Sequence, residues 1–476
     1  MKMRDSAVAE RDTGSFRDPN GYVFLDKGRV LRAIMPAMHD QFAAIYDSGI
    51  IERLSNQGLI LACDRVDADE VKLANFIGAR GETAAALYEH PKVPMISYPY
   101  EWTFSQLKAA AIAHLELQIA AFEEGYVLSD ASAYNIQFID GKPIHIDVLS
   151  LQVYKEGQAW NGYNQFCRQF LLPLLLEAWG GVSFQAMYRG SIDGISFSDA
   201  LAILPKRKLF SSLTGLLHVY MHGRSITSAS SATFETKTLK TATVSRNNYL
   251  AILRQLHGFL TELQSKKRSE TYWNSYAVKN SYSDEMRDTK LGFVEDWAAR
   301  TKPGLIWDVG GNTGDFSAAA IEAGAQSSVV LDSDLDSLEA LYNTRTKRGV
   351  PILPMAMNLS DPSADIGWNQ KERKGLMTRA IADGVIALAV IHHMVIGANL
   401  PLVEVVNWVL DLAPEGIIEF VPKRDPMVRR LLKAREDLFP DYTEENFRDL
   451  VCRRRKIVAE HKFDSNGRLL VAFGKG

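Results

Sequence analysis

The sequence predicts an α/β protein in two parts: an α+β N-terminal half and, from about Lys302, a parallel sheet with helices on both faces, closed by an antiparallel hairpin. Three observations carry this expectation. Apolar strands and amphipathic helices alternate from Pro303 to Val421, as GLIWDV, SSVVLD, VPILPMAM, GVIALAVI and GIIEFV with helical stretches between them. Such alternation marks a parallel sheet buried on both faces. The stretch from Ser225 to Ser245 is dense in Ser and Thr and lacks helical periodicity, which marks a break between halves. The tail, KIVAEHKF and RLLVAFG around Asp464-Ser465-Asn466-Gly467, reads as a hairpin added to the sheet edge, giving seven strands in all.

A chain of 476 residues exceeds one ordinary core, so two domains are expected. The expected division is residues 1–224 for the N-terminal domain, 225–285 for a linker and helical connector, and 286–476 for the C-terminal domain. In the N-terminal half, GYVFLDKGRVLRAI alternates about Asp26-Lys27-Gly28 as a β-hairpin does. Helical spacing follows over about Met35–Asn56 and Trp102–Gly125. Two short strands, YNIQFI and PIHIDV, flank the turn Asp140-Gly141-Lys142. Residues Trp160–His222 read as mostly helical, and a further helix is expected over Tyr249–Ser265.

Composition narrows the function classes. Apolar residues make up 46% and charged residues 23%, with a formal net charge of −3, the balance of a globular protein without a basic footprint for nucleic acid. No stretch reaches the roughly 18 apolar residues of a spanning helix, and the N-terminus has no apolar signal core. A cytoplasmic protein is expected. Cys63, Cys167 and Cys452 are widely spaced, which suggests buried free thiols; no metal-ligand spacing such as H-x-x-x-H occurs in the C-terminal half.

The sharpest motif is LIWDVGGNTGDFSAAA. A strand ends in Asp308, a turn Gly310-Gly311-Asn312-Thr313-Gly314 follows, and a helix begins near Asp315, with Phe316 in its first turn. Glycine lets the main chain approach a ligand closely. A carboxylate before the turn would repel a pyrophosphate but receive an ammonium. Asp332, 24 positions on, ends the second strand beside Ser333, where a carboxylate accepts both hydroxyls of a ribose. Asp334 would face the same side of an extended chain. Asn358, followed by Leu359, ends the third strand, where an amide meets an adenine edge. The fourth strand is read through to His392 and His393; alternation along it would turn only one ring to the reacting centre, and imidazole suits a general base. Glu419 ends the fifth strand and is a second candidate for orienting an acceptor.

These residues resemble the first motifs of the class I S-adenosylmethionine-dependent methyltransferases, in which an acid precedes G-x-G-x-G; here Asn312 replaces the middle glycine. The resemblance implies a Rossmann-like seven-stranded sheet, with S-adenosylmethionine held by Asp308, Gly310, Gly311, Asn312, Gly314, Phe316, Asp332, Ser333, Asn358 and Leu359. It also implies a preceding segment that caps the cofactor, represented by Tyr276 and Tyr282. His392, His393 and Glu419 are the implied catalytic candidates. Across YPYEW, DASAYNIQF, the glycine turn, IHH and EFVPKRDPM, the chain is similar to bacterial two-domain methyltransferases of the NoeA nodulation-protein type. A methyl acceptor with a hydroxyl, carboxyl or amine, either a small molecule or a peptide, is expected, presented in part by the N-terminal half.

Asp130, Asn135 five residues on and Asp147 after a hairpin are similarly spaced to the catalytic loop and metal-binding acid of protein kinases and small-molecule phosphotransferases. That similarity implies a kinase-like N-terminal domain using Mg-ATP. Leu128 stands where the kinase motif has His, and no G-x-G-x-x-G loop precedes it. Two alternatives to methyl transfer therefore stand beside it: a phosphotransferase regulated by S-adenosylmethionine, and a cofactor-binding scaffold without catalysis.

Overall fold

The computed structural model describes residues 9–67, 72–231, 243–266, 284–379, 382–433 and 436–475, of which the side chains of 227–231 are not described. In the N-terminal half, β1 (Glu10–Arg11), β2 (Gly21–Asp26), β3 (Arg29–Ile34), β4 (Asp64–Arg65) and β5 (Ala86–His90) form an antiparallel sheet in the order β1-β2-β3-β5-β4. The β2–β3 register pairs Asp26 with Arg29, leaving Lys27 (φ 50°) and Gly28 (φ 85°) as a two-residue turn. Positive φ at both central positions is the turn whose twist matches a hairpin. β7 (Ile136–Ile139) and β8 (Lys142–His145) repeat the device around Asp140 (φ 49°) and Gly141 (φ 75°). β6 (Tyr126–Leu128) pairs with β9 (Leu151–Val153).

Behind the sheet lie α1 (Pro36–Asp47) and α2 (Ile50–Asn56), and then the long α3 (Phe104–Glu123). A reciprocal cap starts α3: Thr103 Oγ1 accepts from Gln106 N and the Gln106 side chain accepts from Thr103 N, which satisfies two of the otherwise free amides. α3 packs its apolar positions against a helical run over Tyr163–Gly180 and against the helix Arg246–Glu262. Tyr249, Leu253, Leu256 and Leu260 of that last helix are buried in the N-terminal core. The region expected as connector thus contributes a helix to that core.

The C-terminal half follows the expected α/β course. β10 (Leu305–Val309), β11 (Ser327–Asp332), β12 (Ile352–Ala356), β13 (Gly384–Ala387), β14 (Glu415–Phe420), β15 (Lys456–Lys462) and β16 (Leu469–Gly474) form one sheet in the order β12-β11-β10-β13-β14-β16-β15. The first five are parallel, and β16 runs antiparallel to both β14 and β15. This is the Rossmann-like seven-stranded arrangement. Strand order reverses between β10 and β13, and open α/β sheets bind ligands at the carboxyl ends beside such a reversal. The fourth strand is shorter than expected. It stops at Ala387, Ala389 takes φ 53°, and His392 and His393 open a helical turn.

The two halves are joined along the edge strand β12 and the segment after it. Gln106 Nε2 donates to Pro354 O at 3.1 Å, Ser105 N donates to Glu339 Oε2 at 3.1 Å, and Arg189 reaches Asp361 and the Pro362 carbonyl. The centre of the seam is an ion pair between Glu101 and Arg379, whose side chains are 0% and 1% exposed. Glu101 also accepts from Ser363 Oγ at 2.7 Å and from Tyr98 N at 2.9 Å, so its desolvated charge is fully partnered. A cavity of ≈ 50 Å³ lined by Met95, Phe138, Gly141, Leu305, Ser327 and Ile352 lies at the amino ends of the strands. It is at the opposite end of the strands from the glycine turn.

Removing one member of a buried pair strands the other charge, at a cost of about 3–5 kcal/mol. Arg379→Leu is therefore expected to lower the unfolding free energy in urea by that amount. A loss under about 1 kcal/mol would mean that the pair behaves like a surface contact and does not hold the halves together.

Candidate functional site

At the carboxyl end of β10, Asp308 is 1% exposed and accepts from Ser317 Oγ at 2.7 Å, while Ser317 Oγ also meets Ser328 Oγ at 2.8 Å. Burial pushes its carboxyl up to about 7, with Asp332 adding repulsion. The turn lies directly over it: a Cβ at Gly311 would stand 2.6 Å from the Asp308 carboxyl carbon. Glycine is required there by contact, whereas Gly310 (φ 71°) and Gly314 (φ 70°) are required by conformation. Asn312 takes φ 49° in the same left-handed region, which Asn visits more readily than other side chains. That explains how it can stand in the middle glycine's place. Gly314 caps the helix Asp315–Glu322.

Asp332 ends β11 as expected and closes the turn from the other side. Its Oδ2 accepts from Asn312 N and its Oδ1 from Asp334 N, both at 2.9 Å. Each oxygen keeps a lone pair for a ligand hydroxyl. Asp334 does not share that role: it caps the helix Leu335–Thr344, accepting from the amides of Asp336 and Ser337 and from Ser337 Oγ. The strand has ended before it, so the alternation that placed both acids on one side does not reach it. Ser333 is exposed beside the turn, and Phe316 is half-buried on the first helical turn. Asn358 is exposed two residues beyond β12 with its Oδ1 accepting from Ser360 N at 3.0 Å, and Leu359 packs into the core of the C-terminal half. Tyr276 and Tyr282 lie outside the described residues.

The catalytic candidates differ from expectation. His392 and His393 stand in one helical turn with ring centroids 4.1 Å apart, so they face the same region rather than opposite faces of a strand. His392 is fully buried and neither ring nitrogen has a hydrogen-bond partner. Burial, reinforced by His393, Arg468 and Lys290, holds it well below the usual imidazole range; burial also lowers His393 to about 4. Both rings are neutral at pH 7.

Glu419 is not free to orient anything. It is 0% exposed and both oxygens accept from Lys290 Nζ at 2.7 Å, while Arg468 Nη1 lies 3.3 Å away and Arg468 Nε donates to Asp425 at 2.7 Å. Two buried cations balance two buried anions. Lys290, on the helix Asp284–Thr301, and Arg468, in the tail hairpin, were not legible as site residues. The first sits on a helix of mixed polarity and the second beside a turn, both positions where exposed charge is ordinary. Cys63 and Cys167 are buried as expected, but Cys452 is exposed at the end of its helix.

In the N-terminal half the three spaced residues do come together. Asn135 Nδ2 stands 3.2 and 3.1 Å from the two Asp130 oxygens, and Arg32, on β3, meets Asp147 at 3.1 Å. Burial, then Asp147, raises Asp130 to about 7. Arg32 carries no sequence signal of that partnership. Among the described residues no three His, Cys, Asp or Glu side chains gather to hold a metal, and no helix is long and apolar enough to cross a membrane.

No model of a known protein family matches the chain. The chain is 38% identical over 464 residues to the nodulation protein NoeA of Rhizobium meliloti (strain 1021), covering 97% of this chain and 96% of that protein. Among solved structures, it is similar to the N-methyltransferase NodS from Bradyrhizobium japonicum WM9, with 12% identity and TM-score 0.29 over 40% of this chain and 97% of that one. It is similar also to magnesium protoporphyrin IX methyltransferase ChlM from Synechocystis PCC 6803, with 15% identity and TM-score 0.30 over 44% of this chain and 87% of that one.

Asp308 yields a pH prediction. Its folded pKa of about 7 lies above the ordinary 3.8, so between those values the folded chain holds a proton that the unfolded chain has released. Stability from this group is therefore lost as pH rises from about 4 to 7 and is constant above. Urea unfolding of the parent and of Asp308→Asn should diverge over that window by up to about 1.4 kcal/mol per pH unit. Parallel pH profiles would show that Asp308 titrates normally.

Proposed function

The chain belongs to the family of the nodulation protein NoeA, and from that premise and the geometry of the glycine turn we propose that it is an S-adenosylmethionine-dependent methyltransferase. The observation that carries the reading is the buried Asp308 carboxyl beneath Gly311, flanked by Asp332 at the next strand end. An ammonium placed there would restore the charged form of Asp308 and repay its desolvation. The free lone pairs of Asp332 suit the two hydroxyls of a ribose. Asn358 reads the adenine edge, with Ser333, Phe316 and Leu359 around the nucleoside. When bound, the cofactor supplies an electrophilic methyl group on a sulfonium.

Transfer then requires in-line placement and, for a hydroxyl or charged amine, loss of a proton. His392 and His393 are neutral and lie near the cations Lys290 and Arg468. Those cations are already balanced by Glu419 and Asp425, so a proton taken up there would be a buried charge without a partner. The arrangement therefore favours an acceptor already nucleophilic at neutral pH, a carboxylate or an uncharged amine, with the half-buried His393 as its hydrogen-bonding partner. Of the three acceptor groups expected, the hydroxyl is the least suited. A labelled-methyl assay on lysate from cells lacking the protein would yield the product and with it the acceptor.

A second reading is favoured by one observation, the convergence of Asp130, Asn135 and Asp147. A kinase-like phosphotransferase would use Asp130 toward the acceptor and Asn135 and Asp147 toward Mg-ATP. Arg32 already supplies a cation to Asp147 in this structure. The reading requires magnesium-dependent nucleotide binding that disappears in Asp147→Ala; nucleotide binding indifferent to that change removes it.

For the methyltransferase reading, Asp332→Asn is expected to weaken S-adenosylmethionine binding by about 1.5–3 kcal/mol, tenfold to somewhat over a hundredfold. Part of that loss comes through the turn, because the new amide cannot accept from both Asn312 N and Asp334 N. Calorimetry gives the affinity and circular dichroism checks the fold. Parent-like affinity in the variant would contradict the ribose assignment.

A further inference from the structure

Three buried phenols lie near the seam between the halves. Tyr100, Tyr134 and Tyr188 are 3%, 7% and 0% exposed, and none of their hydroxyls has a hydrogen-bond partner. The rings are neighbours, with Tyr134 and Tyr188 centroids 6.3 Å apart and Tyr98 bridging from Tyr134 to Tyr100 at 5.9 and 5.5 Å. A buried hydroxyl left without a partner costs about 1–3 kcal/mol, and native interiors rarely collect several together.

Two arginines lie near these phenols. Arg373, from the segment after β12, stacks 4.3 Å over the Tyr134 ring, and its Nε is buried without a partner. Arg168, from the N-terminal half, also has a buried Nε without a partner, and among the described residues its guanidinium joins no ion pair. Both cations act on the Tyr188 hydroxyl, which burial otherwise drives far above the usual phenol range. The nearby carboxylates are engaged or exposed: Glu101 is held by Arg379, Glu372 by Arg17, and Asp193 lies at the surface. The cluster thus holds buried O–H and N–H donors without acceptors.

We propose that this seam is a binding site for a small ligand bearing an oxyanion, a carboxylate or a phosphate, received by Arg168, Arg373 and the hydroxyls of Tyr134 and Tyr188. Guanidinium and hydroxyl donors in desolvated surroundings make the strong, charge-assisted class of hydrogen bond to such a group. The ligand would touch both halves at once, since Tyr134 and Tyr188 belong to one and Arg373 to the other. The site is independent of the methyl-transfer reading and stands or falls separately from it.

The test titrates inorganic phosphate and succinate into the full chain, with sodium chloride at matched ionic strength, following calorimetric heat and thermal unfolding. Saturable binding of phosphate or succinate with a rise in Tm, absent with chloride, is expected, and the two arms identify which oxyanion chemistry the site prefers. Arg168→Gln and Tyr188→Phe should each weaken that binding by about tenfold. Tyr188→Phe removes a single oxygen from a packed ring, so it keeps the test valid if Arg168→Gln folds poorly. No saturable binding of either oxyanion, or parent-like affinity in Tyr188→Phe, overturns the proposal and leaves the hydroxyls to water alone.

Discussion

The contact between the Asp308 carboxyl and the main chain of Gly311 sets the geometry of the C-terminal site. An acid buried at the end of a central strand needs partners, and Ser317 and Ser328 supply a short hydroxyl chain on one side. On the other side the chain passes so closely that no Cβ fits. The left-handed turns at Gly310, Asn312 and Gly314 follow from that approach, because the backbone must rise over the acid and then enter a helix. Asp332 fixes the top of the same turn by accepting from Asn312 N. A site held by two acids and backbone amides is built before any ligand arrives, which is the arrangement that makes binding precise.

The second constraint is the seam. Sheet edges expose unpaired backbone groups and are usually blunted or covered; here the N-terminal half covers β12, with Gln106 reaching the Pro354 carbonyl. The chain leaving β12 then runs from Asn358 through Asp361, Ser363, Glu372 and Arg373 to Arg379, touching the N-terminal half at each of these last five residues. One segment therefore begins at the carboxyl end of β12 and ends in the buried ion pair with Glu101. The same segment carries contacts to the loop between β1 and β2, through Glu372 with Arg17 and Lys374 with Asp12. The halves are packed as neighbours with a polar, heavily charged boundary.

Much of this was legible in the sequence wherever local chemistry decides. The five parallel strands, the terminal hairpin, the turns at Lys27-Gly28 and Asp140-Gly141, and the acid-and-glycine turn all rest on patterns within a few residues. Contacts between distant segments were not legible. Lys290 and Glu419 are far apart in sequence and became partners only through the sheet, which turned an expected orienting acid into half of a buried ion pair. The expected fourth strand is too long because IALAVI stays apolar through and beyond the turn at Ala389; a buried turn and a buried strand look alike by periodicity. Arg32, Arg168 and Arg373 were passed over because arginine is ordinarily a surface residue.

The proposed cofactor site rests on Asp308 meeting a cation at the turn. Calorimetry of S-adenosylmethionine binding at pH 7, repeated in two buffers of different ionisation enthalpy, measures the protons exchanged on binding. A carboxyl poised near 7 that becomes fully charged beside an ammonium must release protons, so the parent protein should show net release and Asp308→Asn should not. Binding with no proton release in the parent, or the same release in Asp308→Asn, would contradict the assignment.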